Sequence, residues 1–291
     1  DVVTVGEMSS TTLENSIRYS NPESNELSMI FSFHHLKVDY PSGNKWEIEP
    51  FRFHDLKKHL FTWQEEMEKG GGWNALFWCN HDQPRIVSRI GNEKEYRVKS
   101  AKCLATAIHG LKGTPYIYQG EEIGMTNAGY TSIDEYMDIE SLNYYNILKL
   151  QGKSEEEVIR ILGAKSRDNS RTPMQWDASE NAGFTKGTPW LKVCDRYKEI
   201  NTESRHEPDS VFQYYKELVK LRKELPVIQK GSVTPLLRED KEILAYKREY
   251  QGKELYVFCN FFDGEVEVPY SIPEDCRSIL SNYGEEISPK E

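Results

Sequence analysis

Apolar runs and amphipathic segments alternate along the first 120 residues. Val2 to Val5 predicts a strand, followed by a polar, weakly helical stretch. "LSMIFSF", Leu27 to Phe33, predicts a second strand. Phe53, Leu56, Leu60, Trp63 and Met67 then recur at three- and four-residue spacing, the stripe of a helix face. The glycines Gly70 to Gly72 stop that helix; a phosphate-cradling glycine loop follows a strand, and this one follows a helix. Ala75 to Cys79 forms a third apolar run, and Ala101, Leu104, Ala105, Ile108 and Leu111 a second helical stripe. "TPYIYQG", Thr114 to Gly120, forms a fourth strand. Strands and helices alternating without hairpin turns predict parallel crossover units of an α/β fold.

A long excursion follows, from about 124 to 198. It contains one clear helix, "SEEEVIRILGA", with Ser154 as N-cap and Glu157 closing a capping box. "SRDNSRTPMQWD" reads as loop. Val211, Tyr214, Leu218, Leu221 and Leu225 mark a helix ended by Pro226. The period then changes to two: "EILAYKREY", the turn "QGK", "ELYVFCNFF" and "EVEVPY" predict antiparallel strands. The expected organisation is a barrel-type region over 1–227, with the excursion inside it, and a small β-sandwich-like domain over 228–291.

Each of the first four strands runs into polar residues at its C-terminal end. Val5 leads to Gly6 and Glu7, Phe33 to His34 and His35, Cys79 to Asn80, His81, Asp82 and Gln83, and Tyr118 to Gln119, Glu121 and Glu122. Burying unpaired polar groups costs several kcal/mol. A parallel sheet gathers these strand ends on one face, where barrel enzymes carry their chemistry. Glu7 and Asp82 are therefore candidates for a carboxylate pair at one mouth. The alternative for each is a helix cap or a nearby ion pair, with Arg85 for example.

Charge and cysteine content narrow the classes. The formal net charge is −10, and no Lys/Arg block reaches the density of a nucleic-acid footprint. No apolar run is long enough to cross a membrane. The five cysteines are scattered without C-x-x-C spacing, which argues against a disulfide framework or zinc site and for a reducing, cytoplasmic setting. No cofactor is expected. The acidic group Glu121, Glu122, Asp134, Asp138 and Glu140 lacks the spacing of a calcium loop and reads as solvated surface. The opening "DVVTVGEM" starts in mid-strand, as expected for a piece of a longer protein.

"TVGEM", "FWCNHDQPR" and "SRDNSRTPMQW" resemble the motifs of the α-amylase superfamily (glycoside hydrolase family 13), in its oligosaccharide α-glucosidase branch. Within that branch, "FHHLKVDYPSGNKW" resembles the phospho-α-glucosidases that cleave trehalose 6-phosphate. The resemblance implies the second half of a TIM (β/α)8 barrel followed by the β-domain. By the same resemblance Glu7 is the general acid/base, and Asp82 holds the sugar hydroxyls and stabilises the transition state. His81 bonds the same hydroxyls, and Arg171 is the arginine of the glucose site, with Arg167 as its competitor. The family's nucleophile, an Asp in an Arg-x-Asp motif, has no counterpart ahead of Glu7, so the first half of the barrel is an expected partner.

Retaining hydrolysis needs two carboxyl groups roughly 5 Å apart, one as nucleophile and one as acid then base. Burial and a neighbouring anion are expected to raise the Glu7 pKa. A phosphate dianion accepts several charge-assisted bonds, so Lys37, Lys45 and one of His34 and His35 are the expected ligands of a disaccharide phosphate. The alternative pairs those lysines with Asp39 or Glu47. Two other functions remain open: an oligo-1,6-glucosidase or dextran glucosidase acting on neutral isomalto-oligosaccharides, and a non-catalytic amylase-like binding protein.

Overall fold

The computed structural model describes residues 2–283. Four strands, β1 (Val5–Met8), β2 (Met29–Ser32), β3 (Asn74–Leu76) and β4 (Thr114–Pro115), pair in parallel and in sequence order. Between them run α1 (Leu13–Ser20), α2 (Phe53–Lys69), α3 (Ile86–Ile90) and α4 (Arg97–His109). This is half of a (β/α)8 barrel. Leu56, Leu76, Leu104, Ala105 and Ile108 belong to the core that joins sheet and helices. On the other face Phe31 meets Phe77 and Tyr116 edge-on, at 4.9 and 4.7 Å, while Val5 and Tyr116 stay partly open.

The strands are shorter and shifted relative to the sequence expectation. Pairing of the first begins at Val5 opposite Met29, so Glu7 lies inside β1 rather than beyond it, and Val2 and Val3 are exposed. The third apolar run stops pairing at Leu76, yet Phe77, Trp78 and Cys79 remain buried, with Trp78 Nε1 donating to the Leu104 carbonyl at 2.7 Å. The fourth strand pairs only at Thr114 and Pro115. A Cβ on Gly6 would meet the tip of the Leu27 side chain, which would have to shift.

The excursion holds α5 (Ile139–Leu150), α6 (Glu155–Lys165) and the one-turn α7 (Asp168–Arg171). Helix α5 was not legible, because among its residues only Ser141 and Leu148 are buried and no clean apolar stripe results. Ser154 caps α6 by accepting from the Glu157 amide at 3.2 Å, but Glu157's carboxylate takes Lys153 instead of closing the box. A complete capping box sits instead at Ser132 and Glu135. Trp46, from the β2–α2 loop, is buried in the core of this insertion and stacks on Tyr144 at 4.6 Å.

After α8 (Val211–Glu224) and α9 (Pro226–Lys230), a three-stranded antiparallel sheet orders β5 (Ser232–Leu236), β6 (Ile243–Tyr250) and β7 (Lys253–Asn260). Gln251 and Gly252 turn the β6–β7 hairpin with φ of 51° and 74°, the left-handed pair a tight hairpin requires. The expected strand "EVEVPY" is irregular, and β5 occupies the third place. Tyr246 ties the sheet to α4, its hydroxyl donating to the Ala107 carbonyl at 3.2 Å. A Cβ on Gly110 would strike that hydroxyl. Among the described residues no helix is long and apolar enough to cross a membrane, and no cluster of three His, Cys, Asp or Glu side chains is arranged to hold a metal.

Candidate active site

The polar run after β3 is folded by its own first residue. Asn80 Oδ1 accepts from the Asp82 amide at 2.8 Å, a local turn that presents the next side chains. The Asp82 carboxylate then meets cations. Its Oδ1 accepts from Arg171 Nη2 at 2.6 Å and lies 3.5 Å from Arg167 Nη1; His81 Nε2 is 3.4 Å from its Oδ2. Arg171 Nε also donates to the His81 carbonyl at 2.8 Å. Arg85, the suggested alternative partner, goes elsewhere, donating to the Gln119 carbonyl and lying over the Tyr118 ring.

The arginines are anchored from behind. Asp138, just before α5, accepts from Arg167 Nη2 and Nε at 2.6 and 3.1 Å and lies 3.6 Å from Arg171 Nη1. Burial works to raise the Asp138 pKa, but the arginines outweigh it and hold it below the usual carboxylate range. Glu140 bridges Arg167 Nε at 3.2 Å and Lys45 Nζ at 2.7 Å. Asp138 is therefore part of the site's frame, not solvated surface as its sequence context suggested. Two arginines four residues apart were the available signal that a shared anion was needed. Glu121 is also buried, with Tyr215 donating to its Oε1 at 2.7 Å, and burial raises its pKa to about 7.

The loop after β2 divides its cations between tasks. Lys37 Nζ donates to the Ser9 carbonyl at 2.6 Å and to Ser10 Oγ at 3.2 Å. His34 Nε2 bonds the Thr11 carbonyl at 2.9 Å, so both side chains hold the loop that follows Glu7. His35 Nε2 bonds the Phe77 carbonyl at 2.8 Å, and burial lowers its pKa to about 4. A neutral, enclosed imidazole with a backbone partner supplies no charge to an anion. Lys45 is paired with Glu140, and burial lowers its pKa and that of Lys37. The alternative partners are otherwise engaged: Asp39 binds Arg89 and Lys165, and Glu47 binds Ser42 and Asn44.

Glu7 is exposed, in the edge strand β1. The burial expected of a general acid is not supplied by the described residues, because no strand among them pairs with the outer edge of β1. The structure thus brings together Asp82, His81, Arg171 and Arg167, links Lys45 to them through Glu140, and places Lys37 and His34 against the loop that follows Glu7.

A family model described as the α-amylase catalytic domain matches residues 1–231. The chain belongs to the α-amylase family. Among curated members of that family, it is 54% identical over 275 residues to trehalose-6-phosphate hydrolase of Bacillus subtilis, which covers 94% of this chain and 49% of the relative. It is 49% identical over 293 residues to an oligo-1,6-glucosidase of Halalkalibacterium halodurans, covering 98% of this chain and 52% of the relative. A crystal structure of Bacillus licheniformis trehalose-6-phosphate hydrolase superposes with a TM-score of 0.91 at 58% identity, over 96% of this chain and 52% of that one. The chain spans about half the length of these α-amylase family relatives.

Proposed function

We propose that the complete protein containing this chain is a retaining α-glucosidase that cleaves trehalose 6-phosphate to glucose and glucose 6-phosphate. The observation that carries this reading is the Asp82 cluster: a carboxylate held by two arginines and a histidine at the C-terminal end of a parallel strand, with Glu7 on the same sheet. Glu7 donates its proton to the glycosidic oxygen as the bond breaks, then takes a proton from water in the second step. Asp82, held in place by Arg171, accepts from sugar hydroxyls and faces the positive charge that develops on the ring. His81 and the arginines fix the glucose unit. The attacking carboxylate is expected from the first half of the barrel.

The phosphate assignment rests on Lys37, Lys45 and His34, all from the segment that follows β2. Lys37→Ala tests it. Activity on trehalose 6-phosphate is expected to fall at least about tenfold more than activity on p-nitrophenyl α-glucoside, because only the first loses a charge-assisted bond. Equal losses, as from a loosened Ser9–Ser10 loop, would remove phosphate from the account. The pairing of Lys45 with Glu140 supports the second reading, an oligo-1,6-glucosidase, since an ion pair suits sugar hydroxyls better than a dianion.

A further inference from the structure

Asp39 joins three segments that the candidate site needs in fixed relation. It lies in the β2–α2 loop between Lys37 and Lys45. One carboxylate oxygen accepts from Arg89 Nη2 at 2.6 Å; the other accepts from Arg89 Nε at 2.9 Å and Lys165 Nζ at 2.8 Å. Lys165 Nζ also reaches the Asp39 carbonyl at 3.2 Å, and the Tyr40 ring lies 5.4 Å from both cations. None of the three charged side chains is more than 5% exposed. Arg89 belongs to α3, shortly after the Asp82 loop, and donates as well to Gln83 Oε1 at 2.7 Å and to the Leu36 carbonyl. Lys165 ends α6, two residues before Arg167.

Desolvation offsets much of the attraction in a buried ion cluster, so such a cluster says more about registration than about stability. Its three charges come from three separate segments, the β2–α2 loop, α3 and the end of α6. We propose that Asp39 is a positioning residue for leaving-group recognition, holding the Lys37–Lys45 loop in register with Asp82 and with Arg167 and Arg171. The proposal rests on the reading of that loop as part of the leaving-group site.

Replacing Asp39 would strand two buried cations and risk the fold. Lys165→Met leaves the Asp39–Arg89 pair electrically balanced and cuts only the link to α6. The complete enzyme and its Lys165→Met and Lys165→Arg variants are compared on trehalose 6-phosphate and on p-nitrophenyl α-glucoside, whose leaving group carries neither sugar nor phosphate. The expected result is a KM for trehalose 6-phosphate raised about tenfold in Lys165→Met, with kcat/KM for the aryl glucoside within about twofold and most of the loss restored in Lys165→Arg. Equal loss on both substrates, or no change on either, overturns the proposal. Should the unaltered enzyme prefer isomaltose, the phosphate reading fails by itself. The same KM split, read on isomaltose against the aryl glucoside, then decides the role of Asp39.

Discussion

Glu121, buried after β4, and His35, half-buried after β2, respond to pH with opposite sign. Burial raises Glu121 to about 7 from 4.5, against the smaller lowering influence of Tyr215 and Arg85. Between those values the unfolded chain has lost a proton that the folded chain keeps, so this carboxyl group's contribution to stability declines as pH rises through the window. Burial lowers His35 and His109 to about 4 from 6.5, and their contribution rises with pH instead. Glu121→Gln mimics the protonated acid and isolates the first effect. The variant's stability relative to the unaltered protein is expected to increase by about 3 kcal/mol between pH 4.5 and 7. Thermal or urea unfolding across that range measures it, and a pH-independent difference contradicts the assignment.

At the scale of elements, the β2–α2 loop is the piece that organises the mouth. Trp46 plugs the insertion's core while its neighbours Lys45 and Asp39 make ionic contacts to the same insertion. Trp46→Ala removes a side chain that is 2% exposed and stacked on Tyr144. A loss of about 3 kcal/mol or more is expected, with proteolysis appearing first between residues 124 and 198. Cleavage elsewhere at no lower stability would contradict that anchoring. Little of this was legible beforehand. Helices α2, α4 and α8 announce themselves because one face is buried and the spacing shows it. Helix α5 does not, since it is covered in patches by Trp46 and α6 rather than along one stripe. "EVEVPY" has the alternation of a strand but no pairing partner among the described residues, and pairing lies beyond what alternation records.

For the whole molecule, the parallel order of β1 to β4 and the antiparallel sheet behind α4 follow from the sequence pattern, and motif resemblance correctly named the family. The candidate residues were legible as types at strand ends, because polar groups there need a reason. Their partners were not. Asp138, Glu140 and Asp39 acquire meaning only when Arg167, Lys45, Arg89 and Lys165 arrive from distant segments. A phosphorylated leaving group on an α-glucosidase is proposed for the complete enzyme, in which another half-barrel is expected to face Glu7. Its most direct test is glucose release by that enzyme from trehalose 6-phosphate, trehalose and isomaltose at matched concentration. Strong preference for trehalose 6-phosphate is expected; equal or faster turnover of isomaltose would rule out a phosphorylated leaving group.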